Sequence, residues 1–254
     1  MGGIFMEMTY VRKRIEEASN LVCLLGISTS MDCGCLNYRQ EDGLYDLEQK
    51  YGHAPEEIFS SVFFSTRPQQ FFDFYKTEIL KRTGMPDDCM KTLARMETDG
   101  RLKAVITREL FSLPRRAGCQ NVVELHGSIY ENYCPRCGKA FDIGYMLETE
   151  GVPLCPECKV PIRPGVNLIG DRMSSARIAM AAAELAKADT LLILGGHMET
   201  PLVSNMLPYF HGNLVILVNE SKHLSDRMAD FTYYGKPRDI LPQLYPAAAD
   251  AISA

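Results

Sequence analysis

No apolar run in the 254 residues approaches the ~20 that a membrane-spanning helix needs. The first ten residues, Met1 to Tyr10, lack the basic start and long apolar segment of a secretory signal. Positive charge is not in excess: 27 Lys and Arg stand against 32 Asp and Glu, a net charge of −5. That leaves no general basic surface for nucleic acid or an anionic membrane. Internal repeats and low-complexity tracts are missing, apart from a small Ala-rich tail at Ala247 to Ala251. Tryptophan is absent, and nothing functional follows from that. The nine cysteines are odd in number and four stand in C-x-x-C pairs, which argues against a secreted disulfide framework. A soluble, cytoplasmic protein without nucleic-acid or membrane partners is expected. Nothing in the sequence specifies an oligomeric state.

What is present is a core. Hydrophobic residues make up 46% of the chain, enough for a sizeable core, and 254 residues suit one large domain or a large domain with a small insertion. Thr9 to Asn20 has helical spacing, with Val11, Ile15 and Ala18 on one face. Leu21 to Leu25 is continuously apolar, as a parallel strand buried on both faces is. Gly26 ends it, and the small polar run Ile27 to Gly34 reads as a loop where an α/β sheet would bind a ligand. Residues 44–98 read as mainly helical, with the stripe Phe71, Phe74/Tyr75, Glu78/Ile79 expected in the core. Pro86-Asp87-Asp88 fits a helix start. Further strands are expected at Leu102 to Ile106, Val122 to Leu125, Thr190 to Leu194 and Leu214 to Val218. A helix capped by Ser174 and Ser175 should run to about Lys187, with Ile178, Ala182 and Leu185 on one side. Strands alternating with helices predict a Rossmann-like, doubly wound parallel sheet.

Four cysteines, Cys134, Cys137, Cys155 and Cys158, follow the spacing C-x2-C-x17-C-x2-C. Two such pairs can direct four thiolates at one ion, and Zn2+ favours that tetrahedron. With every position filled by protein, the zinc should be structural, and metal binding should supply the folding energy of a module too short to bury much core. Gly138 after Cys137 suits the tight turn of a zinc knuckle. The boundaries expected are 1–130 and 163–254 for the large domain, with 44–98 a helical insertion, and 131–162 for a zinc-ribbon-like module.

An imidazole, His126, stands at the end of the third strand in Asn121-Val-Val-Glu-Leu-His-Gly-Ser128. That run, the preceding Thr107-Arg-Glu-Leu-Phe-Ser-Leu-Pro-Arg-Arg-Ala-Gly118 and the cysteine quartet together resemble a sirtuin. Sirtuins are NAD-dependent protein deacylases, some with ADP-ribosyltransferase activity. The resemblance spans nearly the whole chain. It implies a nucleotide loop at Gly26, Gly34 and Arg39, a Gly43-Leu44-Tyr45 element, later NAD-contacting loops at Gly195 and Asn219, and an acyl-lysine channel along Ile162 to Asp171 that includes Val166, Leu168 and Ile169. It implies NAD as cofactor, an acyl-lysine protein or peptide (or another ADP-ribose acceptor) as partner, and His126 as the base that deprotonates a ribose hydroxyl. An imidazole suits that work because it titrates near neutral pH.

The departures from the family pattern cluster where the chemistry is done. The family's Thr-Gln-Asn-Ile-Asp stands here as Thr107-Arg108-Glu109-Leu110-Phe111, so Arg108 and Glu109 occupy positions that meet the nicotinamide ribose. Replacing an amide with a carboxylate removes two donors and adds charge. Ser28 and Ile27 replace a Gly and an Ala of the phosphate loop, Leu36-Asn37 a Pro-Asp, and Gly195-Gly196-His197 a Gly-Thr-Ser. Three readings stay open: a sirtuin-type enzyme cradling NAD with Gly26, Ser28, Arg39, Gly195 and Asn219; an NAD- or ADP-ribose-binding pseudo-enzyme or sensor; and a zinc-stabilised interaction module without nucleotide. Cys33 and Cys35 are read as incidental thiols, and Arg115-Arg116 as a surface basic pair. His197 with Glu199 is read either as an acid–base pair or as a solvated loop.

Overall fold

The computed structural model describes residues 2–35 and 41–247. Its strands are β1 (Leu21–Leu25), β2 (Leu102–Thr107), β3 (Val122–Glu124), β4 (Asn132–Tyr133), β5 (Ala140–Phe141), β6 (Thr190–Leu194), β7 (Leu214–Asn219) and β8 (Phe231–Tyr234). Six of them form one parallel sheet in the order β3-β2-β1-β6-β7-β8. Counting only these six along the chain, the order is 3-2-1-4-5-6, that of a dinucleotide-binding sheet. The expected fold is the one found. β8 and the helices Pro201–Met206 and Pro237–Leu244 lie beyond the elements expected from the sequence.

β1 alternates between two cores. Leu21, Cys23 and Leu25 pack on one side with Val11 and Ile15 of the first helix and Leu93 of the helix Asp88–Thr98. Val22 and Leu24 pack on the other with Ala181 and Leu185 of Ser175–Lys187 and Leu202 of Pro201–Met206. Both faces are covered, which is why the strand reads as an unbroken apolar run. The stripe Phe71, Phe74, Tyr75 and Ile79 is fully buried, as expected of core. Asp87 caps its helix by accepting from the Met90 backbone N–H, and Ser174 caps its own by accepting from that of Arg177.

Three local readings change. The first helix runs over Gly2–Glu17, not from Thr9. Ala181, not Ala182, shares the buried face with Leu185. The expected loop after Gly26 holds a helix, Ile27–Asp32. Its polar residues bond back to the backbone: Thr29 Oγ1 donates to the Gly26 carbonyl at 2.7 Å and Ser30 Oγ to the Ile27 carbonyl at 2.9 Å. Side chains that usually favour loops thus satisfy a short helical turn.

Candidate active site and metal centre

The strand order reverses between β1 and β6, and the crevice of such a sheet lies beyond the carboxyl ends of those two strands. Gly26 and Gly195 meet there. The Gly26 N–H donates to the Leu194 carbonyl at 2.8 Å, and a Cβ on Gly26 would sit 2.2 Å from the Gly195 carbonyl oxygen. Gly195 has φ +67°, the left-handed region that favours glycine. Two bare backbones therefore cross at the floor of the crevice.

A cavity of about 420 Å³ opens from this crossing. Gly26, Gly195, Arg108, Glu109, His126, Leu168 and Ile169 all line it. Ser28, Asn219 and Val166 do not. Ser28 Oγ is buried and has no hydrogen-bond partner among the described residues. Val166 is buried and bridges Gly127. Arg39 and Leu36-Asn37 fall outside the described residues. Asn167 and Asp171 of the expected channel segment also face the cavity, as do Phe59, Ile79 and Thr200, to which the sequence assigned no role there. They come from separated segments, and only the topology joins them.

His126 follows β3 and is held by its own backbone: its carbonyl accepts from the Asn167 N–H at 2.7 Å. Gly127 has φ +78°, and a Cβ there would come within 2.0 Å of the Gly165 carbonyl oxygen. The chain at 165–170 is thus laid directly across the His126 turn. Its far end is anchored where the Ile169 N–H donates to the Phe59 carbonyl at 3.0 Å and the Ser61 N–H to the Ile169 carbonyl at 2.9 Å. Asp171 shapes the same segment by accepting from the Leu168 N–H at 2.8 Å while pairing with Arg163.

The segment after β2 brings the altered residues in. Thr107 Oγ1 donates to the Leu25 carbonyl at 3.0 Å and accepts from the Glu109 N–H at 3.0 Å. Arg108 Nε donates to His126 Nε2 at 2.7 Å. Glu109 is buried, and its carboxyl bonds to Ser30. Burial pushes it from its ordinary 4.5 up to about 7, against the pull of the Ser30 hydroxyl and the Arg108 cation. The expected extra charge at this position is therefore only partly present near neutral pH. Phe111 is buried against the core beside it.

At the next strand end, His197 Nδ1 lies 3.0 Å from Asp226 Oδ1, and Glu199 pairs with His223 Nε2 at 3.0 Å. His197 and Glu199 thus take different partners and do not form the acid–base pair considered from sequence. Asn219 Nδ2 lies 3.1 Å from His197 Nε2 and 3.2 Å from the Ser221 carbonyl oxygen, so its amide is engaged within this network. Arg115 donates to the Gln120 and Val122 carbonyls and pairs with Glu124, and Arg116 donates to the Thr83 and Gly84 carbonyls. Both brace loops. Cys33 and Cys35 are buried, and burial pushes both thiols up to about 12. Neither has the low pKa of a reactive thiol, in keeping with incidental side chains.

The four remaining cysteines form one cluster, their sulfurs all within 4.8 Å of one another. Each C-x-x-C pair is a turn closed by its own backbone. The Gly138 N–H donates to the Cys134 carbonyl at 2.9 Å and the Lys159 N–H to the Cys155 carbonyl at 2.9 Å. Gly138 (φ +74°) and Lys159 (φ +58°) occupy the same left-handed place in the two turns. Cys137 Sγ and Cys155 Sγ stand 3.9 Å apart. Thiolates ~2.3 Å from a tetrahedral zinc ion lie ~3.8 Å from each other, so the donor set fits zinc. The antiparallel pair β4–β5 carries the first turn.

The profile described as "Sir2 family" matches residues 25–200. A NAD-dependent protein deacetylase of Clostridium acetobutylicum is 33% identical over 221 residues, 87% of this chain and 90% of its own. A NAD-dependent protein deacylase of Pyrococcus furiosus is 32% identical over 244 residues, 92% of this chain and 95% of its own. A solved Sir2 homolog–NAD complex superposes with a TM-score of 0.81 at 26% identity, covering 96% of this chain and 94% of that one.

Proposed function

Because the chain belongs to the Sir2 family, we propose that it is an NAD-dependent protein deacylase acting on modified lysine, with His126 as its base. The observation that carries this reading is the single cavity that joins the Gly26–Gly195 crossing, His126 and the segment Leu168–Ile169. One space then reaches both a nucleotide and an acyl chain. NAD is a consumed substrate here. Gly26 and Gly195 let its pyrophosphate approach bare backbone, and Arg108 and Glu109 meet the nicotinamide-ribose end. Ser28 and Asn219 complete the cradle, and Arg39 joins them by its place in the family's nucleotide loop. Leu168 and Ile169 line the acyl channel, with Val166 beneath the segment that carries them. His126 takes a proton from a ribose hydroxyl, which lets the sugar accept the acyl group. Zinc at Cys134, Cys137, Cys155 and Cys158 holds the module 131–162 against the large domain of 1–130 and 163–254. It does no chemistry, since four thiolates leave no open position. Transfer of ADP-ribose to another acceptor is the alternative outcome in the same cavity.

A second reading is supported by the Arg108–His126 bond. With Arg108 Nε–H directed at Nε2, that nitrogen accepts no other proton until the guanidinium withdraws. A protein locked in this state binds NAD or ADP-ribose without turnover. Calorimetric titration with NAD and ADP-ribose, followed by assay of nicotinamide release with an acetyl-lysine peptide, separates the two. The deacylase releases nicotinamide and forms deacylated peptide, and His126→Ala lowers deacylation by about 100- to 10,000-fold. Heat of binding without nicotinamide release supports the sensor, and no heat with either nucleotide sinks both.

A further inference from the structure

His197 follows the carboxyl end of β6, and Ser221 follows that of β7, its parallel neighbour in the sheet. The deacylase reading gives neither side chain any work. Ser221 Oγ lies 3.1 Å from His197 Nε2. His197 Nδ1 lies 3.0 and 3.1 Å from the two carboxyl oxygens of Asp226. Ser221 is exposed, the His197 side chain is 21% exposed, and Asp226 is fully buried. A hydroxyl at the surface, an imidazole partly covered behind it and a buried carboxyl at the back stand in the order of a Ser-His-Asp triad.

The neighbours set where the protons lie. Asp226 Oδ2 accepts from the His223 N–H at 2.9 Å, the contact that caps the short helix Leu224–Met228 carrying Asp226. Facing these acceptor oxygens, Nδ1 carries the ring proton, and Nε2 presents its lone pair to Ser221. Asn219 Nδ2 lies 3.3 and 3.1 Å from the two ring nitrogens. A place so nearly equidistant would collide with Cε1 if it lay in the ring plane. The amide therefore sits over the ring face and leaves the Nε2 lone pair to Ser221. Its own hydrogens are directed at Ser221, whose carbonyl oxygen lies at 3.2 Å and Oγ at 3.4 Å.

We propose that Ser221 and His197, with Asp226 as positioning residue, form a second catalytic site that hydrolyses carboxylic esters. Ser221 Oγ bonds to the ester carbonyl carbon, and its proton passes to His197 Nε2. The bond from that carbon to the alcohol oxygen breaks, its electron pair stays on oxygen, and oxygen takes the proton from Nε2. Water then adds to the acyl carbon and gives a proton to Nε2. The bond to Oγ breaks, Oγ takes that proton back, and a carboxylic acid leaves. Negative charge builds on the carbonyl oxygen beside Ser221 Oγ, where the Asn219 amide is the side-chain donor at hand. One such donor at an exposed serine suits an ester, whose alcohol departs more readily than the amine of an amide.

The test uses the full-length zinc-loaded protein, a fluorophosphonate that bonds to base-activated serines, and p-nitrophenyl acetate as ester. NAD is left out of every arm, so the result stands apart from the deacylase reading. Peptide mass spectrometry should find the phosphonyl group on Ser221. Ser221→Ala, a change at an exposed position, should abolish labelling and lower ester hydrolysis about 100-fold or more, and His197→Gln should lower both by a similar factor. In Asp226→Asn the His223 N–H holds the remaining oxygen, so the new NH2 faces Nδ1 and the ring proton moves to Nε2. Nitrogen NMR of His197 should show that change of tautomer together with loss of labelling, which a merely structural role would not produce. An unlabelled Ser221 in wild type, equal labelling of His197→Gln, or ester hydrolysis unchanged in Ser221→Ala overturns the proposal. Asp226→Asn that keeps either the Nδ1 proton or the labelling overturns the part given to Asp226.

Discussion

The cysteine module and the crevice wall at Thr107–Phe111 are built in contrasting ways. The module is local. Its ligands come as two pairs, each pair set by one tight turn, and the turns repeat each other down to the left-handed residue at Gly138 and Lys159. The crevice wall is assembled from segments distant in the chain. Thr107 reaches to Leu25, Glu109 to Ser30, Arg108 to His126, and the channel segment at 165–170 is pinned between Gly127 and Phe59. Local chemistry can be read from spacing. Chemistry set by burial and by distant neighbours requires the fold.

Three measurements would break or sharpen that contrast. The largest effect belongs to the module. One zinc ion per chain is expected, and chelation or Cys134→Ser should melt the 131–162 module. The thermal midpoint should fall by more than about 10 °C, because metal binding supplies most of such a module's folding energy. A metal-free protein of unchanged midpoint would show that the two turns stand without an ion.

The next effect lies in the crevice wall and concerns stability. The folded-state pKa of Glu109 is raised from 4.5 to about 7. Its contribution is therefore fully present below about 4.5 and is lost as pH rises through about 7. Relative to Glu109→Gln, the wild type should lose about 3 kcal/mol of unfolding free energy between pH 4.5 and 9. Urea unfolding at both pH values reads this directly. Parallel pH profiles for the two proteins would mean that the carboxyl is solvated as freely in the fold as outside it.

The smallest effect is kinetic. Arg108→Ala removes the N–H that occupies His126 Nε2. A hydrogen bond from a charged donor is worth ~1.5 kcal/mol, about tenfold in rate. Single-turnover deacylation at saturating NAD should rise by roughly that factor. A fall instead would place Arg108 among the groups that hold the reacting ends together.

Much of this was legible in the sequence, and the reasons differ by region. β1, β6 and β7 announced themselves because strands covered on both faces leave unbroken apolar runs, whereas the edge strand Phe231–Tyr234 is partly exposed and mixed in character. The helix at Ile27–Asp32 was hidden by residues that favour loops until their hydroxyls find backbone carbonyls. Within the crevice, Gly26, Gly195, His126, Leu168 and Ile169 were singled out by the family resemblance, and the fold brings them to one cavity. The partner of Arg108 and the protonation of Glu109 were not, because a carboxylate in sequence looks charged until its burial is known. His197 taking Asp226, 29 residues away, was out of reach for the same reason. Ser28 and Asn219, matched to the nucleotide loops, do not line the cavity.

A deacylase of this family type moves the acyl group from lysine to ADP-ribose, and in this protein the proposed place is the cavity of His126. The most direct measurement is mass spectrometry of the small-molecule products after incubation with NAD and an acetyl-lysine peptide. O-acetyl-ADP-ribose and nicotinamide are expected in equal amounts, matched by deacetylated peptide. Unchanged NAD and peptide, or nicotinamide with free ADP-ribose and an intact acetyl group, would contradict it.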